Sequence, residues 1–417
     1  MQVINYILNL GSSVMLAIVL LILSLIFRVD KSTAIRSSLM IGVAFYGINL
    51  VVGAMMGVFA PLTSAFIART GINLSVTDIG WVSASGITWA WKAAALFIPV
   101  GIIVNVIMIV LKLTHVVDVD VWNYWVWGFS GAIIGTLTGN VFVGMIAFVI
   151  TEVIIIVIAD KTAPMIQKYF DLPGVSIPHG NAAAFVPFAY LLDKLFDLIP
   201  GINKVKLDSA TITKKVGVFG EPVFIGFAIG VVLSLFAGYD FAGILTSGIN
   251  LSAIMVILPR MTKMIMEAMG PLSQSIGASL QKRFPGEEYS IGLDVAVLAG
   301  NPDAIAVSFL LIPVSIILAM ILPGNKLLPF ADLGGIAFVI AMTLPIYKGN
   351  VFRTFLGGIF IVVCCLYIGT YMAPLFTELA IQSGTAVPEG ATGVMSFLSG
   401  TSPITFVMTL ITKLFVK

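Results

Sequence analysis

Charged residues are scarce in this chain, and their scarcity excludes an ordinary soluble domain. Only 10% of the 417 residues are charged, whereas soluble domains usually carry about 25%. The net charge of +2 gives no reason to expect an acidic partner such as a nucleic acid. Apolar residues make up 59% of the chain, and apolar runs of about 20 residues recur along it, each long enough to cross a bilayer as a helix. The composition predicts a polytopic membrane protein.

Cysteine, histidine and the common phosphate-binding motif are also rare or missing. The two cysteines, Cys364 and Cys365, are adjacent in an apolar run, where helical neighbours point to different faces; this favours packing over a disulfide or a metal site. The two histidines lie far apart, so no metal site is expected. The chain has no GxxxxGK[ST] loop, so neither ATP hydrolysis nor a bound cofactor is predicted. Residues 1–6 lack the basic start of a cleavable signal peptide.

What the chain does contain is an internal repeat. Membrane proteins built from two such halves are usually transporters, with the substrate site where the halves meet near the bilayer midplane. We therefore divide the chain into a first repeat at 1–200, a cytoplasmic linker at 201–216, and a second repeat with an added C-terminal helix at 217–417. The recurring segments are LSLIFRVD at 23–30 and LSLFAGYD at 233–240, GNVF at 139–142 and 349–352, and IPHG at 177–180 and VPEG at 387–390.

The hydrophobic runs predict an all-α fold with about eleven transmembrane helices. Each repeat holds five spans, an odd number, so the second repeat enters the membrane from the opposite side and the repeats are inverted. With the N-terminus outside and the C-terminus inside, all basic residues except Arg69, Lys92 and Lys326 lie on or near the inner side. The predicted spans are 7–27, 39–60, 89–111, 122–138, 141–160, 217–237, 242–259, 303–323, 329–347, 351–373 and 402–416.

Four segments rich in Gly, Pro, Ser, Thr or Asn fit poorly as full spans. They are 61–88, 171–200, 270–302 and 377–401. Non-helical backbone at membrane depth survives only where it is buried in protein or lines a cavity. We predict re-entrant hairpins in these segments; ordinary surface loops are the alternative.

Polar residues within these segments are candidates for substrate binding. His179 lies between Pro178 and Gly180, followed by Asn181, and its ring can exchange hydrogen bonds with a hydroxyl. A surface histidine is the alternative. Asp294 is an acid in a weakly polar segment, where a carboxylate is costly unless it is paired or functional. It can accept hydrogen bonds from two hydroxyls of a polyol, or it can cap a helix.

Three further polar residues have equally plausible structural roles. Asn301 and Asp303 flank Pro302, and Asn-Pro-Asp is a common helix start as well as a candidate polar site. Glu221 begins the second repeat, where a first-turn acid is favoured by the helix dipole. It can also be a polar anchor near the substrate.

A tryptophan-rich stretch supplies the remaining candidates. Trp81 and Trp89 can stack on the C–H faces of a sugar alcohol, although tryptophans also form interfacial belts in membrane proteins. Thr88 and Asn140 add neutral hydrogen-bonding groups at predicted helix breaks. Neutral groups suit a ligand with many hydroxyls better than an ion.

A set of motifs resembles the IIC component of galactitol-type phosphotransferase systems, in the ascorbate–galactitol transporter superfamily. The resemblance spans essentially the whole chain, and the motifs occur in family order. They are IPHG at 177–180, FGEPV at 219–223, AGYD at 237–240, IGLD at 291–294, GN and FRT within 349–354, and SPIT at 402–405.

The resemblance implies a multi-pass protein of the bacterial inner membrane that forms a homodimer and carries a polyol inward. A separate IIB protein, recharged through IIA, would phosphorylate the polyol, so this chain takes part in phosphoryl transfer without a phosphoryl-carrying residue of its own. His179 and Asp294 match substrate-site motifs of the family, as do Thr88 and Asn140. The family usually has a proline near Gly86, and Asn301-Pro302-Asp303 is unusual, so the identity of the polyol stays open. An ion-coupled secondary transporter of a small polar solute is the alternative function.

Overall fold

The fold is mostly helical, with long apolar helices separated by short helices and turns. The computed structural model describes residues 12–70, 74–205, 221–283, 288–329, 331–385, 387 and 391–416. The helices of the first half are α1 (Ser12–Ile26), α2 (Lys31–Thr70), α3 (Gly80–Trp89), α4 (Phe97–Val110), α5 (Val121–Thr138), α6 (Val141–Phe170), α7 (Gly180–Ala184) and α8 (Val186–Leu198). Those of the second half are α9 (Pro222–Ala237), α10 (Phe241–Arg283), α11 (Ala296–Ala299), α12 (Pro302–Ile321), α13 (Ile336–Ala341), α14 (Val351–Gln382) and α15 (Pro403–Lys413).

Several helices have the length and composition of membrane spans. Four helical segments in the described part of the chain qualify: Val141–Phe170, Phe241–Leu258, Pro302–Ile321 and Val351–Gln382. A fifth span results if the bent pair Gly80–Trp89 and Ala94–Val110 is counted as one. These helices agree with an integral membrane protein.

The predicted helix break at Gly139-Asn140 is confirmed. Gly139 follows α5 with φ +64°, in the left-handed region that glycine adopts at little cost. Asn140 then caps α6, because its side-chain oxygen accepts hydrogen bonds from the N–H groups of Phe142 and Val143. The second half repeats this arrangement: the φ of Gly349 is +73°, and Asn350 caps α14.

The predicted spans at 39–60 and 242–259 lie within longer helices, whereas the predicted span at 329–347 is wrong. α2 continues through Pro61 to Thr70, and α10 continues to Arg283, so these helices are about 60 Å long at 1.5 Å per residue. The two helices pack against each other, and neighbouring helices allow a membrane helix to tolerate proline. The described residues of the predicted span at 329–347 form a 3₁₀ turn at Leu333–Gly335, the short α13 and further turns instead of a long helix.

The 89–111 span is also differently built. Its N-terminal residue belongs to α3, and the chain bends by 90° before α4. A 3₁₀ turn at Ala94–Leu96 makes the connection. The bend carries α3 away from the axis of α4, so the tryptophan-rich stretch forms a separate short helix.

In the described part of the chain, six short strands that the sequence does not predict form two parallel three-stranded sheets. They are β1 (Val76–Asp78), β2 (Val116–Asp118), β3 (Val175–Ser176), β4 (Ser290–Gly292), β5 (Leu327–Leu328) and β6 (Gly393–Met395). In one sheet β1 lies between β5 and β6; in the other β4 lies between β2 and β3. The central strand of each sheet therefore comes from one half and both outer strands from the other. This pairing satisfies backbone groups where the chain is not helical.

Four of the strands, β1, β3, β4 and β6, lie within the segments that fit poorly as spans. Strand β3 and helices α7 and α8 occupy 171–200, and β4 precedes α11 within 270–302. The part of 377–401 that carries Glu389 lies outside the described residues, as does most of the linker predicted at 201–216. Because each sheet contains strands from both halves, the sheets place these non-helical segments of the first half next to those of the second half.

Candidate functional site

A small cavity lies where the two halves meet. It has a volume of about 70 Å³, enough for several water molecules. The first half contributes tryptophans and the residues at the start of α7, and the second half contributes the loops after β4, β5 and β6. The lining residues are Phe45, Trp81, Trp122, Trp125, His179, Asn181, Asp294, Ala296, Asp332, Gly335, Phe338, Val339, Leu398 and Ser399.

His179 and Asp294 face each other in this cavity. The backbone N–H of Ala182 donates to Nδ1 of His179 at 3.3 Å, and a neutral imidazole that accepts at Nδ1 carries its proton on Nε2. The Nε2 atom lies 3.7 Å from Oδ2 of Asp294, too far for a direct hydrogen bond. A hydroxyl oxygen about 2.8 Å from both atoms would accept from the histidine and donate to the carboxylate.

Asp294 is held in place by the backbone around it. Its Oδ1 accepts a hydrogen bond from the N–H of Ala296 at 2.8 Å, and its own N–H donates to Oδ2 of Asp120 at 3.0 Å. Asp120 caps α5, because its Oδ1 accepts from the N–H of Trp122. Asp294 thus caps a local turn and still leaves Oδ2 directed at His179.

Two further polar groups of the cavity have no partner in the described part of the chain. The indole nitrogen of Trp125 and the side-chain oxygen of Asn181 are buried without a hydrogen bond. The Nδ2 atom of Asn181 donates to the carbonyl of Ser399 at 3.0 Å, which fixes the amide between the halves. Buried polar groups are nearly always satisfied, so these two residues of the cavity lining are candidates for contact with a ligand.

Aromatic rings form an apolar wall beside these groups. The rings of Trp81 and Trp122 meet edge to face, with centroids 6.3 Å apart. Trp122 and Trp125 both lie in the first turns of α5. The apolar run at 122–138 predicts a plain membrane span, so neither residue is among the predicted candidates; two tryptophans within five residues of Asp120 were the available signal.

A second buried carboxylate network positions Trp81. The side chain of Asp332 accepts hydrogen bonds from the N–H of Trp81 at 2.6 Å, from Leu398 at 3.2 Å and from the hydroxyl of Ser396. Asp78 accepts from the N–H of Asp332 at 2.9 Å. The two acids therefore tie β1 of the first half to the loops of the second half. Neither acid is among the residues predicted from the sequence.

The other predicted site residues do not line the cavity. Thr88 is buried and donates to the carbonyl of Ala84, and the ring of Trp89 packs against Phe97. Asn140 and Asn301 cap helices, with Asp303 in the helical turn that Asn301 caps. Glu221 is exposed before α9 and makes no capping hydrogen bond. His179, Asn181, Asp294 and Trp81 are the predicted residues that the fold brings together.

The chain is similar to known proteins over nearly its full length. The family model for the sugar-specific permease component of the PTS system, EIIC-GAT, matches residues 6–390. The chain is 39% identical over 407 residues to the galactitol-specific EIIC component of the PTS system from Escherichia coli K12, covering 98% of this chain and 90% of that protein. It is 38% identical over 380 residues to a putative permease IIC component of the same strain, covering 91% and 87%. This chain therefore belongs to the family of sugar-specific permease components of the phosphotransferase system.

Proposed function

We propose that the chain is the permease subunit for galactitol or a closely related alditol, and that the cavity between the halves is its binding site. One observation carries the proposal: the residues that line the cavity carry donors and acceptors in balance. Nε2 of His179 and the indole N–H of Trp125 donate, while Oδ2 of Asp294 and the amide oxygen of Asn181 accept. A hydroxyl both donates and accepts, so a polyol can satisfy all four groups, whereas an ion cannot.

A binding site for a polyol needs both donors and acceptors because the ligand loses its hydration when it enters the protein. A polyol entering the protein exchanges hydrogen bonds to water for bonds to side chains, and each group left unpaired costs about 1–3 kcal/mol. The tryptophan wall supplies apolar surface for the C–H faces of the ligand. The match to a galactitol-specific relative supports this substrate class.

The transport cycle follows from the family. The polyol enters this site from outside, the site turns inward, and a separate IIB protein, recharged by IIA, phosphorylates the polyol at the inner face. This chain provides binding and movement. We infer a homodimer by the same analogy.

We also propose inverted repeats with about eleven spans, the N-terminus outside and the C-terminus in the cytoplasm. The exchange of strands supports the repeat, because the order β5-β1-β6 has its counterpart in β2-β4-β3 when the halves are interchanged. The caps at Asn140 and Asn350 are a second matching pair. Two related halves provide two near-equivalent arrangements for moving the site across the membrane.

A binding assay on the purified protein tests the substrate. Galactitol and other alditols are titrated against the protein in detergent, with a hexose as the comparison ligand. We expect saturable binding of at least one alditol and weaker binding of the hexose. Failure of every alditol to bind, with the protein folded, would contradict the proposal.

Trp125→Phe tests one of the four polar groups. The substitution keeps an aromatic ring but removes the indole N–H. The loss of one hydrogen bond, about 0.5–1.5 kcal/mol, lowers alditol affinity roughly 2- to 10-fold. Trp89→Phe is the matched control, because the Trp89 indole nitrogen is also buried without a hydrogen-bond partner among the described residues, and Trp89 does not line the cavity. Equal affinities of the two variants would exclude Trp125 as a donor to the ligand.

A further inference from the structure

A second and larger cavity is an apolar groove between α6 and α15. Its volume is about 600 Å³, a size typical of pockets that bind small ligands. The junction of α7 and α8, from Ala184 to Phe188, forms a third side. Thr412 is the one polar residue among those that line the groove. The chemistry of the lining therefore suits a hydrocarbon chain.

The groove is open to the bilayer and as long as one leaflet is thick. It follows α6 from Val143 to Ile158, a distance of about 22 Å at 1.5 Å per residue, and α6 is a membrane span. The hydrocarbon of one leaflet is about 15 Å thick, half of the bilayer core. Ile146 and Ile150 in the groove are each 44% exposed. An acyl chain of the surrounding lipid can therefore enter along its length.

One end of the groove carries exposed lysines on the faces that form it. Lys161 follows Val143 by 18 residues, about five helical turns, so it lies on the same face of α6. It is about one turn beyond Ile158, the last residue of α6 in the lining. Lys194 follows Pro187 of the lining by about two turns and lies on the same face of α8. Both lysines are exposed.

A contact between α6 and α8 brings these two lysines to the same end. The hydroxyl of Tyr190 donates a hydrogen bond to Sδ of Met165 at 3.5 Å. Lys161 lies about one turn before Met165, and Lys194 lies about one turn after Tyr190. Lysine side chains are long and flexible and cover apolar surface with their stems while the charge stays in the polar layer. The two ammonium groups can therefore bind one anionic group at the mouth of the groove.

The acids near Lys194 already have a partner. Asp193 and Asp197 both bind the guanidinium group of Arg353 on α14, with N–O distances of 2.6 Å. Lys194 forms no ion pair in the described part of the chain. Its charge is thus open to a ligand.

The charged residues near Lys161 are also directed elsewhere or balanced. Asp160 accepts a hydrogen bond from a backbone N–H of the loop before β2 at 3.1 Å. Lys413 at the end of α15 lies over the ring of Tyr371, 4.4 Å from its centroid. Lys161 has no ion pair among the described residues. One further base and one acid are exposed beyond it at the end of α6, namely Lys168 and Asp171.

We propose that the groove is a binding site for an anionic phospholipid of the cytoplasmic leaflet. One acyl chain lies in the groove, and the phosphate group binds Lys161 and Lys194. The positive-inside rule places the lysine end at the cytoplasmic surface, where anionic headgroups attract basic residues. The groove shares α7 with the cavity, because Asn181 lines the cavity and Ala184 lines the groove. The bound lipid therefore supports one wall of the cavity, whichever solute the cavity holds.

Native mass spectrometry of the detergent-purified protein tests the selectivity for charge. Phosphatidylglycerol and phosphatidylcholine with the same acyl chains are added in equal amounts, and the lipids bound per chain are counted. We expect one phosphatidylglycerol per chain to be retained in preference. Each lysine contributes about fivefold to the affinity for an anionic lipid. The double variant Lys161→Gln, Lys194→Gln therefore loses about 25-fold in phosphatidylglycerol affinity and keeps its affinity for phosphatidylcholine.

The control for this variant removes the same charge outside the groove. Lys263 and Lys326 are exposed lysines that do not line the groove, and we expect Lys263→Gln, Lys326→Gln to retain phosphatidylglycerol as the wild type does. Equal retention of the two lipids by the wild type would overturn the proposal. So would equal loss of phosphatidylglycerol from the two double variants.

A substitution that fills the groove tests the place of the acyl chain. Ile150→Trp puts a large ring into the space of the acyl chain, so we expect it to abolish the preferential binding of one phosphatidylglycerol. Ile317→Trp makes the same change at an exposed isoleucine of α12 outside the groove and leaves binding unchanged. Wild-type lipid retention by Ile150→Trp would contradict the proposal. If Ile150→Trp instead converts dimers to monomers with the lipid retained, the groove is an interface between copies of the chain.

Discussion

Replacing His179 by alanine, or Asp294 by asparagine, lowers alditol affinity roughly 5- to 150-fold. Nε2 of His179 and Oδ2 of Asp294 lie 3.7 Å apart in the cavity, and each change removes one of these two groups. A ligand hydroxyl then loses a partner, and an unmade hydrogen bond in a buried site costs about 1–3 kcal/mol, with 1.4 kcal/mol equal to a factor of ten. Binding of a radiolabelled alditol to the purified variants measures the loss.

The two variants differ in what else they change. His179→Ala also removes the acceptor of the Ala182 N–H, a helix cap worth about 1 kcal/mol. Asp294→Asn keeps an oxygen for the N–H of Ala296 and places an amide N–H₂ opposite His179, where two donors meet. Asp294→Asn therefore changes the hydrogen bonding of the site to a ligand while keeping the hydrogen bond that holds the side chain in place.

Matched substitutions outside the cavity serve as controls. His115→Ala removes the other histidine, and Asp303→Asn makes the same aspartate-to-asparagine change on α12; neither residue lines the cavity. We expect normal affinity in both controls and a monodisperse protein in all four variants. Wild-type affinity of His179→Ala together with Asp294→Asn would refute the site assignment.

Asp332→Ala produces the largest loss of stability that we expect. Asp332 is 1% exposed and accepts hydrogen bonds from Trp81, Leu398 and Ser396. Alanine leaves three donors without their acceptor, and breaking a buried network of this kind costs about 3–5 kcal/mol. The variant accumulates poorly in the membrane and unfolds at a lower temperature than the wild type in detergent.

A graded series of variants identifies the cause of that loss. Asp332→Asn keeps one acceptor oxygen and is expected to fall between the wild type and Asp332→Ala. Glu378→Ala removes an exposed carboxylate and has little effect, because exposed charges contribute little. If Asp332→Ala unfolds at the same temperature as Glu378→Ala, the network does not hold the halves together.

Part of this arrangement is predictable from sequence because the signals are local. Gly139-Asn140 recurs in the second half, and glycine followed by a capping residue marks a helix break wherever it occurs. His179 and Asp294 are polar residues in segments too polar and too broken for full spans. Their selection as candidates needs no knowledge of the rest of the fold.

The remaining features depend on contacts between distant parts of the chain. Strands of two or three residues carry no periodic pattern, so the exchange of β1 and β4 between halves has no sequence signal. Asn140 and Asn301 are of a residue type that often binds ligands, yet their side chains cap helices. The sequence does not show whether an asparagine side chain forms its hydrogen bonds with the local backbone or with a ligand. Trp125 and Asp332 lie in apolar runs that are typical of plain spans.

Phosphoenolpyruvate-dependent uptake is the decisive measurement for a permease that delivers an alditol to IIB. Membrane vesicles containing this chain are supplied with a labelled alditol and with purified IIB, IIA and the general phosphotransfer proteins. We expect phosphorylated alditol to accumulate inside only when phosphoenolpyruvate and IIB are both present. Uncoupling the ion gradients should leave this accumulation unchanged, and Asp294→Asn should reduce it. Accumulation of unmodified alditol that requires an ion gradient and proceeds without IIB would contradict the account.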